Sequence, residues 1–286
     1  MRKKIIITGA SSQIGDFLLP LLKQKQHEVL PLSRAKQQNI HATWIQTDIA
    51  QPHTVCQQLP DADVLIHIAP LPLLPPLLST IKEKGIKRLI VFGSTSMFGK
   101  QTSHSPKEQA MVAEFQQAER DIANYCQREG IDWTIFRPTL IYGCGKDKNV
   151  TFIAKKMKQY HFFPLVGKAS GLRQPVHSED LALACVQALT NPRSYNKAYN
   201  LSGGETMTYK RILQRIIEIE QVHVVLFSIP LLLFRVLIRV ANTLPAYRYL
   251  TPDMANRMNQ DLCFDHQKAT DDFSYNPKAF QPPKIQ

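Results

Sequence analysis

Short apolar runs alternate with segments of helical spacing over the first half of the chain. The apolar runs predict buried strands and cover Lys4–Thr8, Glu28–Leu32, Val64–Ala69, Arg88–Phe92 and Trp133–Arg137. Helices are predicted at Gly15–Gln26, Leu71–Lys84 and Gln109–Arg128, the second beginning late because four prolines stand near its start. Strands that alternate with helices indicate right-handed crossovers, so the pattern predicts an α/β fold with a doubly wound parallel sheet.

Composition narrows the class of protein. The 286 residues are 44% hydrophobic and 20% charged, which excludes a disordered chain. Five scattered cysteines without CxxC spacing exclude a disulfide scaffold and favour a reducing compartment, so we expect a cytoplasmic protein. Only three apolar residues follow Met1-Arg2-Lys3-Lys4 before Thr8, so no secretory signal is expected.

The net charge of +12 indicates an anionic partner. Lys and Arg are spread along the chain without a dense run, so nucleic acid is the least favoured partner. A phosphorylated small molecule is the simplest interpretation, and a membrane surface or a cationic surface without function are the alternatives. No metal site is predicted.

The turn after the first strand carries the clearest chemistry. It runs from Thr8 to Gly15 and opens the first helix. Glycines at such a turn let the backbone approach a pyrophosphate, and the helix N-terminus offers free amides to it. The turn therefore predicts a dinucleotide site, although Ser12 stands where the usual fingerprint has its middle glycine, and a turn without a ligand is the alternative. The residues assigned to it are Gly9, Ser11, Ser12, Gln13, Ile14 and Gly15.

The end of the second strand bears on the choice of cofactor. An NAD-selective site usually has an acidic residue there for the ribose hydroxyls, but this chain has Leu32-Ser33-Arg34. Arg34 could pair with a 2′-phosphate through its planar guanidinium. We therefore expect NADP, with NAD as the alternative and a solvated arginine as the explanation without a ligand.

Seven segments occur in a fixed order between residue 5 and about residue 215. They are Thr8–Gly15, Gln46–Ile49, Val64–Ala69, Val91–Gly99, Arg137–Gly143, Arg173–Ala182 and Tyr199–Gly204. In this order they resemble the NAD-dependent epimerase/dehydratase family, which comprises extended short-chain dehydrogenases/reductases that modify sugar nucleotides.

The resemblance implies a fold, a division of the chain and roles for residues. It implies a Rossmann-type dinucleotide-binding domain, residues 1–142 with about 175–198, and a small mixed substrate-binding domain, residues 143–174 with 199–286. Arg173 would hold the diphosphate of a nucleotide sugar, with Ser94 and Thr95 also at the substrate. The further cofactor residues would be Asp48, which contacts adenine in the family, and Ile49, Ile68, Ala69, Pro70 and Pro138.

The catalytic centre departs from the family pattern. Family members carry Tyr-x-x-x-Lys on the helix after the Ser-rich strand, where the tyrosine exchanges a proton with a sugar hydroxyl. Aligning Ala118-Glu119-Arg120 with the family's Ala-Glu-Arg puts Met111 at the tyrosine position and Phe115 at the lysine position. Ser94 remains the catalytic candidate, but a hydroxyl is a poor base, so another group would be needed. His104, Lys107, Glu108 and Glu114 are nearby in sequence, and nothing in the sequence selects one of them.

The most apolar stretch, 222–244, is interrupted by Pro230, Arg235 and Arg239, which disfavours a membrane span. Its polar residues share one helical stripe, so packing in the core or at a subunit contact is favoured over peripheral membrane contact. A homodimer is therefore one alternative.

Three functions remain open at this point. The leading one is an NAD(P)-dependent epimerase, dehydratase or reductase acting on a nucleotide-linked or lipid-linked sugar. The alternatives are a dinucleotide-binding sensor or assembly subunit without turnover, and a membrane-surface component of glycan biosynthesis.

Overall fold

Seven parallel strands form the central sheet within the described part of the chain. The computed structural model describes residues 1–37, 42–147, 149–241 and 256–284. The strands are β1 (Lys4–Thr8), β2 (Glu28–Ser33), β3 (Ile45–Gln46), β4 (Val64–His67), β5 (Arg88–Phe92), β6 (Asp132–Pro138) and β11 (Lys197–Leu201). Their spatial order is β11-β6-β5-β4-β1-β2-β3, and each neighbouring pair is parallel. The predicted Rossmann-type doubly wound sheet is confirmed.

Helices cover both faces of this sheet. They are α1 (Gln13–Gln24), α2 (Pro52–Gln58), α3 (Leu78–Glu83), α4 (Ser96–Gly99), α5 (Pro106–Glu129), α7 (Ser178–Ala188) and α10 (Gln267–Phe273). Local residues set their ends. The Ser12 hydroxyl caps α1 by accepting a hydrogen bond from the Gly15 amide, while Pro106 opens α5 and Gly130, with φ of 64°, ends it.

The alternation of side chains along β1 divides the core into two layers. Ile5 and Ile7 face a cluster shared with α1 and α7, whereas Ile6 faces a cluster shared with α5. All three isoleucines are fully buried, as expected of a central parallel strand with helices on both sides.

The remaining elements build a smaller region with its own apolar cluster. Three strand pairs belong to it: β7 (Ile141–Tyr142) with β10 (Val176–His177), β9 (Leu172–Arg173) with β12 (Met207–Thr208), and β8 (Phe162–Val166) with β13 (Val225–Ile229). Its helices are α6 (Val150–Tyr160), α8 (Tyr209–Glu220) and α9 (Leu231–Ala241). Met157, Leu165 and Ile216 lie in the cluster that joins α6, β8 and α8. The domain boundaries given above stay a prediction.

The structure refines the predicted elements. Strand β5 has the predicted bounds, but β3 and α2 were not anticipated because both are too short to show a period. The segment 71–84 opens with two 3₁₀ turns, Leu71–Leu73 and Pro75–Leu77, and its α-helix starts only at Leu78, in agreement with the predicted late start. The stretch 222–244 divides into β13 and α9, and its last three residues lie outside the described ranges. No helix in those ranges is both long and apolar enough to cross a membrane.

Candidate functional site

The turn between β1 and α1 leaves no space for larger residues at its two glycines. Gly9 has φ of +66°, and a Cβ atom there would lie 2.6 Å from the Ala69 amide nitrogen. At Gly15, a Cβ would lie 1.9 Å from the Ala10 carbonyl oxygen. Glycine at both positions therefore lets β1, α1 and the end of β4 approach closely.

A cavity of about 390 Å³ opens beside this turn and is called the first cavity below. Four loops at the carboxyl edge of the sheet line it, at the ends of β1, β2, β3 and β4. The structure brings together nine of the predicted cofactor residues there: Gly9, Ser11, Ser12, Arg34, Asp48, Ile49, Ile68, Ala69 and Pro70.

The lining of the first cavity has the polar groups that a dinucleotide requires. Arg34 is exposed, which leaves its guanidinium accessible to an anion. Ser11, Ser12, Thr47 and Asp48 add hydroxyl-bearing and carboxylate residues to the same lining. The residues present therefore fit a nucleotide cofactor.

His67 connects β1 with the loop after β4, and this loop lines the first cavity. Thr8 Oγ1 lies 2.8 Å from its Nδ1 and the Pro70 carbonyl lies 3.2 Å from its Nε2. A neutral ring satisfies both contacts when Nε2 donates to the carbonyl and Nδ1 accepts from the hydroxyl. Complete burial lowers the pKa of His67 to about 4, so the ring is neutral at physiological pH.

A second cavity, of about 500 Å³, adjoins the first at the start of α1. Gln13 lines it, immediately after Ser12 of the first cavity. Its other lining residues include Ser94, Thr95, Thr139, Leu140, Ile141, Asn149, Gln174, Leu262 and Phe264. The second cavity therefore lies between the carboxyl edge of the central sheet and the smaller region, where parallel α/β sheets bind ligands.

The charge of the second cavity is positive. Four of its lining side chains are cations, Lys100, Lys146, Arg173 and Arg257, and one is a carboxylate, Asp147. Asp147 Oδ1 accepts hydrogen bonds from the Asn149 and Thr151 amides, both at 3.0 Å, at the start of α6. The carboxylate is thereby committed to the helix end. Asp16 pairs with Lys146, and Glu108 pairs with both Lys100 and Arg257, so the four cations still outnumber the three carboxylates around the cavity and suit it to an anionic ligand.

Two of the hydroxyl-bearing residues that line the second cavity, Ser94 and Thr95, differ in their freedom to bind a ligand. Thr95 donates its hydroxyl hydrogen to the Pro138 carbonyl at 3.0 Å. Ser94 Oγ instead accepts from the Ser96 amide at 3.1 Å, so its own hydrogen is available to a ligand. Ser94 is thus the better-placed hydroxyl of the two.

Lys100 lies beside Met111, the residue that the sequence alignment puts at the family's tyrosine position. Its Nζ is 3.8 Å from Met111 Sδ and 3.4 Å from a carboxylate oxygen of Glu108. Phe115, by contrast, packs against the cluster shared with α5. The cation in this part of the second cavity therefore comes from the end of α4 rather than from α5.

Arg173 and Arg257 form a connected pair. Nη1 of Arg173 donates to the Leu172 and Gln260 carbonyls at 2.7 and 2.6 Å, and its Nη2 donates to the Arg257 carbonyl. Burial lowers the pKa of the Arg173 guanidinium. Much of its donor capacity is used to hold the backbone of 257–260, and the Arg257 side chain also reaches the cavity.

Glu108 holds Arg257 in place. The Arg257 guanidinium donates to both carboxylate oxygens of Glu108, at 2.8 and 2.9 Å. Burial raises the pKa of Glu108, but hydrogen bonds from Arg257 and Ser103 outweigh this and hold it below its usual range. Glu108 thereby contacts two residues of the cavity lining, Lys100 and Arg257, whereas the other three acid–base candidates, His104, Lys107 and Glu114, have exposed side chains. The ionised Glu108 is an anchor for cations rather than a proton donor.

Three predicted cofactor residues lie outside the lining of both cavities. Ile14 is buried in the core, Gly15 is buried against Ala10, and Pro138 contributes its carbonyl as the acceptor for Thr95. Sequence reasoning missed Lys100 and Arg257. No local pattern marks Arg257, because the Glu108 that orients it is 149 residues away in the chain. In the described ranges no cluster of three His, Cys, Asp or Glu side chains could hold a metal ion.

Comparison with known proteins gives one family. The model described as "NAD dependent epimerase/dehydratase family" matches residues 5–75 and 73–202. An uncharacterised protein of Sinorhizobium fredii, y4nG, is 24% identical over 96% of this chain and 75% of its own length. An NAD(P)H azoreductase of Xenophilus azovorans is 25% identical over 71% of this chain and 69% of its own. Matches to three mycobacterial proteins cover 23% of the length of those proteins.

Among solved structures, a UDP-glucose 4-epimerase of Thermotoga maritima with UDP-glucose is similar to this chain. The TM-score is 0.72 at 15% identity, covering 96% of this chain and 93% of the epimerase. This likeness is one of fold.

Proposed function

Because the chain belongs to the NAD-dependent epimerase/dehydratase family, we propose that it binds a nicotinamide dinucleotide in the first cavity and a nucleotide-linked sugar in the second. The proposed activity is oxidoreduction at a sugar carbon, as in an epimerase, dehydratase or reductase. The observation that carries this proposal is the cationic second cavity, which meets the first at Ser12 and Gln13.

Residues of the first cavity would hold the cofactor. The turn 9–15 would receive the pyrophosphate, the loop with Asp48 the adenine, and Arg34 the 2′-phosphate that distinguishes NADP from NAD. The bound nicotinamide would supply hydride acceptance and donation. The exposed Arg34 supports this arrangement, as do the two glycines of the turn, where a Cβ would meet backbone atoms.

The diphosphate of the sugar nucleotide would bind to the arginines of the second cavity. Arg257 presents a planar guanidinium that Glu108 already orients. Arg173 would contribute charge and keep the Arg257 backbone in position. A pre-oriented guanidinium loses less freedom when it binds an anion, which supports tight recognition.

Proton transfer would involve Ser94 and Lys100. The Ser94 hydroxyl can hydrogen-bond a reacting sugar oxygen, and the Lys100 ammonium in the same cavity can stabilise negative charge on it or donate a proton. Met111 and Phe115 have no exchangeable proton for this task. We propose that Lys100 takes the place of the tyrosine–lysine pair.

A dinucleotide-binding protein without turnover is the second candidate. The apolar Met111 beside Lys100 favours it, because a thioether cannot relay a proton. Both candidate functions have a dinucleotide in the first cavity. They differ in whether the second cavity binds a substrate and converts it.

The test has two stages. Native mass spectrometry of the purified protein would first show whether a dinucleotide copurifies. Thermal-shift titrations would follow, with NADP(H) and NAD(H), then with UDP- and dTDP-sugars, and with an azo dye as a non-sugar acceptor. A ligand present at about 100 times its Kd should raise Tm by about 5 °C in a domain of this size.

Matched variants distinguish ligand binding in the second cavity from ligand binding in the first. Arg257→Ala should abolish the sugar-nucleotide shift and keep the dinucleotide shift, and Arg128→Ala, at an exposed position on α5, is the control. If no nucleotide sugar stabilises the wild type, the non-turnover candidate takes precedence. If no dinucleotide binds either, both candidates are wrong.

A further inference from the structure

Among the described residues, the exposed apolar side chains are concentrated in four elements of the smaller region. Nine large hydrophobic residues are exposed among the described residues, and eight of them belong to α6, β8, β13 and α9. These eight are Phe152, Tyr160, Phe162, Val225, Phe227, Leu232, Leu233 and Val236. We call this surface the aromatic face. A contiguous exposed apolar patch on a globular protein marks an interaction site.

Ring contacts connect the face across three elements. The Tyr160 and Phe162 rings are 6.1 Å apart, and the Phe162 and Phe227 rings are 5.9 Å apart. Val225 is the direct neighbour of Phe162 in the β8–β13 ladder. Helix α9 begins two residues after β13 and carries Leu232 and Val236, which are 74% and 56% exposed.

The two-residue period of the small sheet explains why these rings point outward. Phe163 and Leu226 alternate with the exposed residues and pack against the cluster of the smaller region. Their neighbours Phe162, Val225 and Phe227 must then face the opposite side of the sheet. The inner face is already supplied with apolar side chains, so the outer ones add nothing to that core.

The aromatic face is also cationic. Lys156 lies over two rings of the face, 5.8 Å from the centre of Phe152 and 5.2 Å from that of Tyr160. Lys155 and Lys168 are exposed in the same region. The chain has no Asp or Glu between Asp147 and Glu179, and none between Glu220 and Asp253. The segments that build the face therefore carry positive charge without acidic residues.

We propose that the aromatic face docks the protein onto an anionic lipid membrane. Aromatic rings and leucines partition into the boundary between headgroups and acyl chains, and nearby lysines bind lipid phosphates. A second copy of the chain is a poorer occupant. A two-fold contact would bring lysines against lysines with no carboxylate from these segments between them.

Docking at this face would also bring the second cavity close to the lipid. Asn149 lines that cavity, and Phe152 follows it one helical turn later on α6. The docking proposal rests on the surface alone and does not require turnover in either cavity.

The experiment is cosedimentation of the full chain with vesicles. One set contains phosphatidylcholine alone, and the other contains phosphatidylcholine mixed with phosphatidylglycerol. The wild type should bind the anionic set and bind it less as salt is raised, because ions screen the lysine–phosphate attraction. Binding to neither set, or equal binding to both, contradicts the proposal.

Two surface variants and a control identify the face. Lys155→Gln/Lys156→Gln should lower partitioning about tenfold or more, since each lysine near an anionic surface contributes roughly a fivefold factor. Phe162→Ser/Phe227→Ser should lower it through lost insertion. Lys25→Gln/Lys87→Gln removes the same charge from exposed positions near the opposite, amino edge of the sheet and should bind as the wild type does. Circular dichroism and Tm would check that each variant is folded.

Other outcomes overturn the assignment. Equal loss in the Lys155/Lys156 and Lys25/Lys87 variants would make the attraction one of net charge rather than of this face. A wild type that sediments as a dimer, becomes monomeric on Phe162→Ser/Phe227→Ser and ignores vesicles would make the face a contact between copies.

Discussion

Replacing Gly9 by alanine should destabilise the protein far more than the same change at a glycine with open space around it. At φ of +66°, an L-residue costs about 1–2 kcal/mol relative to its preferred conformations. The new Cβ would also lie 2.6 Å from the Ala69 nitrogen and 2.8 Å from the Ile68 carbonyl carbon. Both are backbone atoms that cannot rotate away, so overpacking adds about 1–3 kcal/mol. The expected loss is about 2–5 kcal/mol.

Gly85→Ala is the matched control. Gly85 has φ of +70°, and a Cβ there would meet no atom within 4 Å. It therefore isolates the conformational cost of about 1–2 kcal/mol, which a smaller entropy loss in the unfolded chain partly offsets. Subtracting the loss of stability in Gly85→Ala from the loss in Gly9→Ala leaves the steric cost of a Cβ at the turn.

Urea denaturation followed by circular dichroism and tryptophan fluorescence measures both variants. The expected result is a lower midpoint for Gly9→Ala at an unchanged slope. Because Ile68 and Ala69 line the first cavity, the variant should also bind dinucleotide more weakly. Equal losses of stability at Gly9 and Gly85 would refute the close approach of β1 and β4 at this turn.

Three further outcomes follow from the same sites. Arg34→Ala should weaken the binding of NADP(H) by about 1–3 kcal/mol and leave the binding of NAD(H) unchanged. If calorimetry gives equal affinities for the two cofactors, and the substitution changes neither, the NADP preference is contradicted. Folding lowers the pKa of His67 from 6.5 to about 4, so between these pH values the unfolded chain binds a proton that the folded protein does not. The free energy of unfolding should therefore fall by up to about 3 kcal/mol as pH drops from 6.5 to 4. The urea midpoint should depend less on pH in His67→Gln than in the wild type, and identical curves would refute this role of His67. Ser94→Ala and Lys100→Met should each lower turnover with little change in the dinucleotide shift, and turnover that survives both would show that the catalytic assignment is wrong.

Most residues that line the first cavity could be predicted from the sequence because their signals are local. The turn 8–15, Arg34 and Asp48 each follow a strand, and the carboxyl ends of parallel strands meet at one edge of the sheet. The sequence therefore predicts that these residues lie close together. It could not show that Ile14 is buried in the core while Gln13, its neighbour, lines the second cavity.

The lining of the second cavity could be predicted from the sequence only in part. Ser94, Thr95 and Arg173 were expected at the substrate, and all three line the second cavity. The donors of Arg173 are largely engaged by the backbone of 257–260, which no motif indicates. His104, Lys107 and Glu114 could not be separated from Glu108 by sequence, because the distinguishing contact is with distant Arg257.

The α/β class, the parallel sheet and the glycine-containing turn after β1 follow from the amino-acid sequence, because strand period, helix spacing and glycine conformation act over a few residues. Which cations share the second cavity, and which aromatic rings stay exposed, depends on tertiary packing. Glu108 and Arg257 meet across 149 residues, and Phe162 is exposed because Phe163 and Leu226 already fill the inner side of its sheet. Such contacts depend on how separate elements pack, and the energy of packing is a property of neighbours in space rather than along the chain.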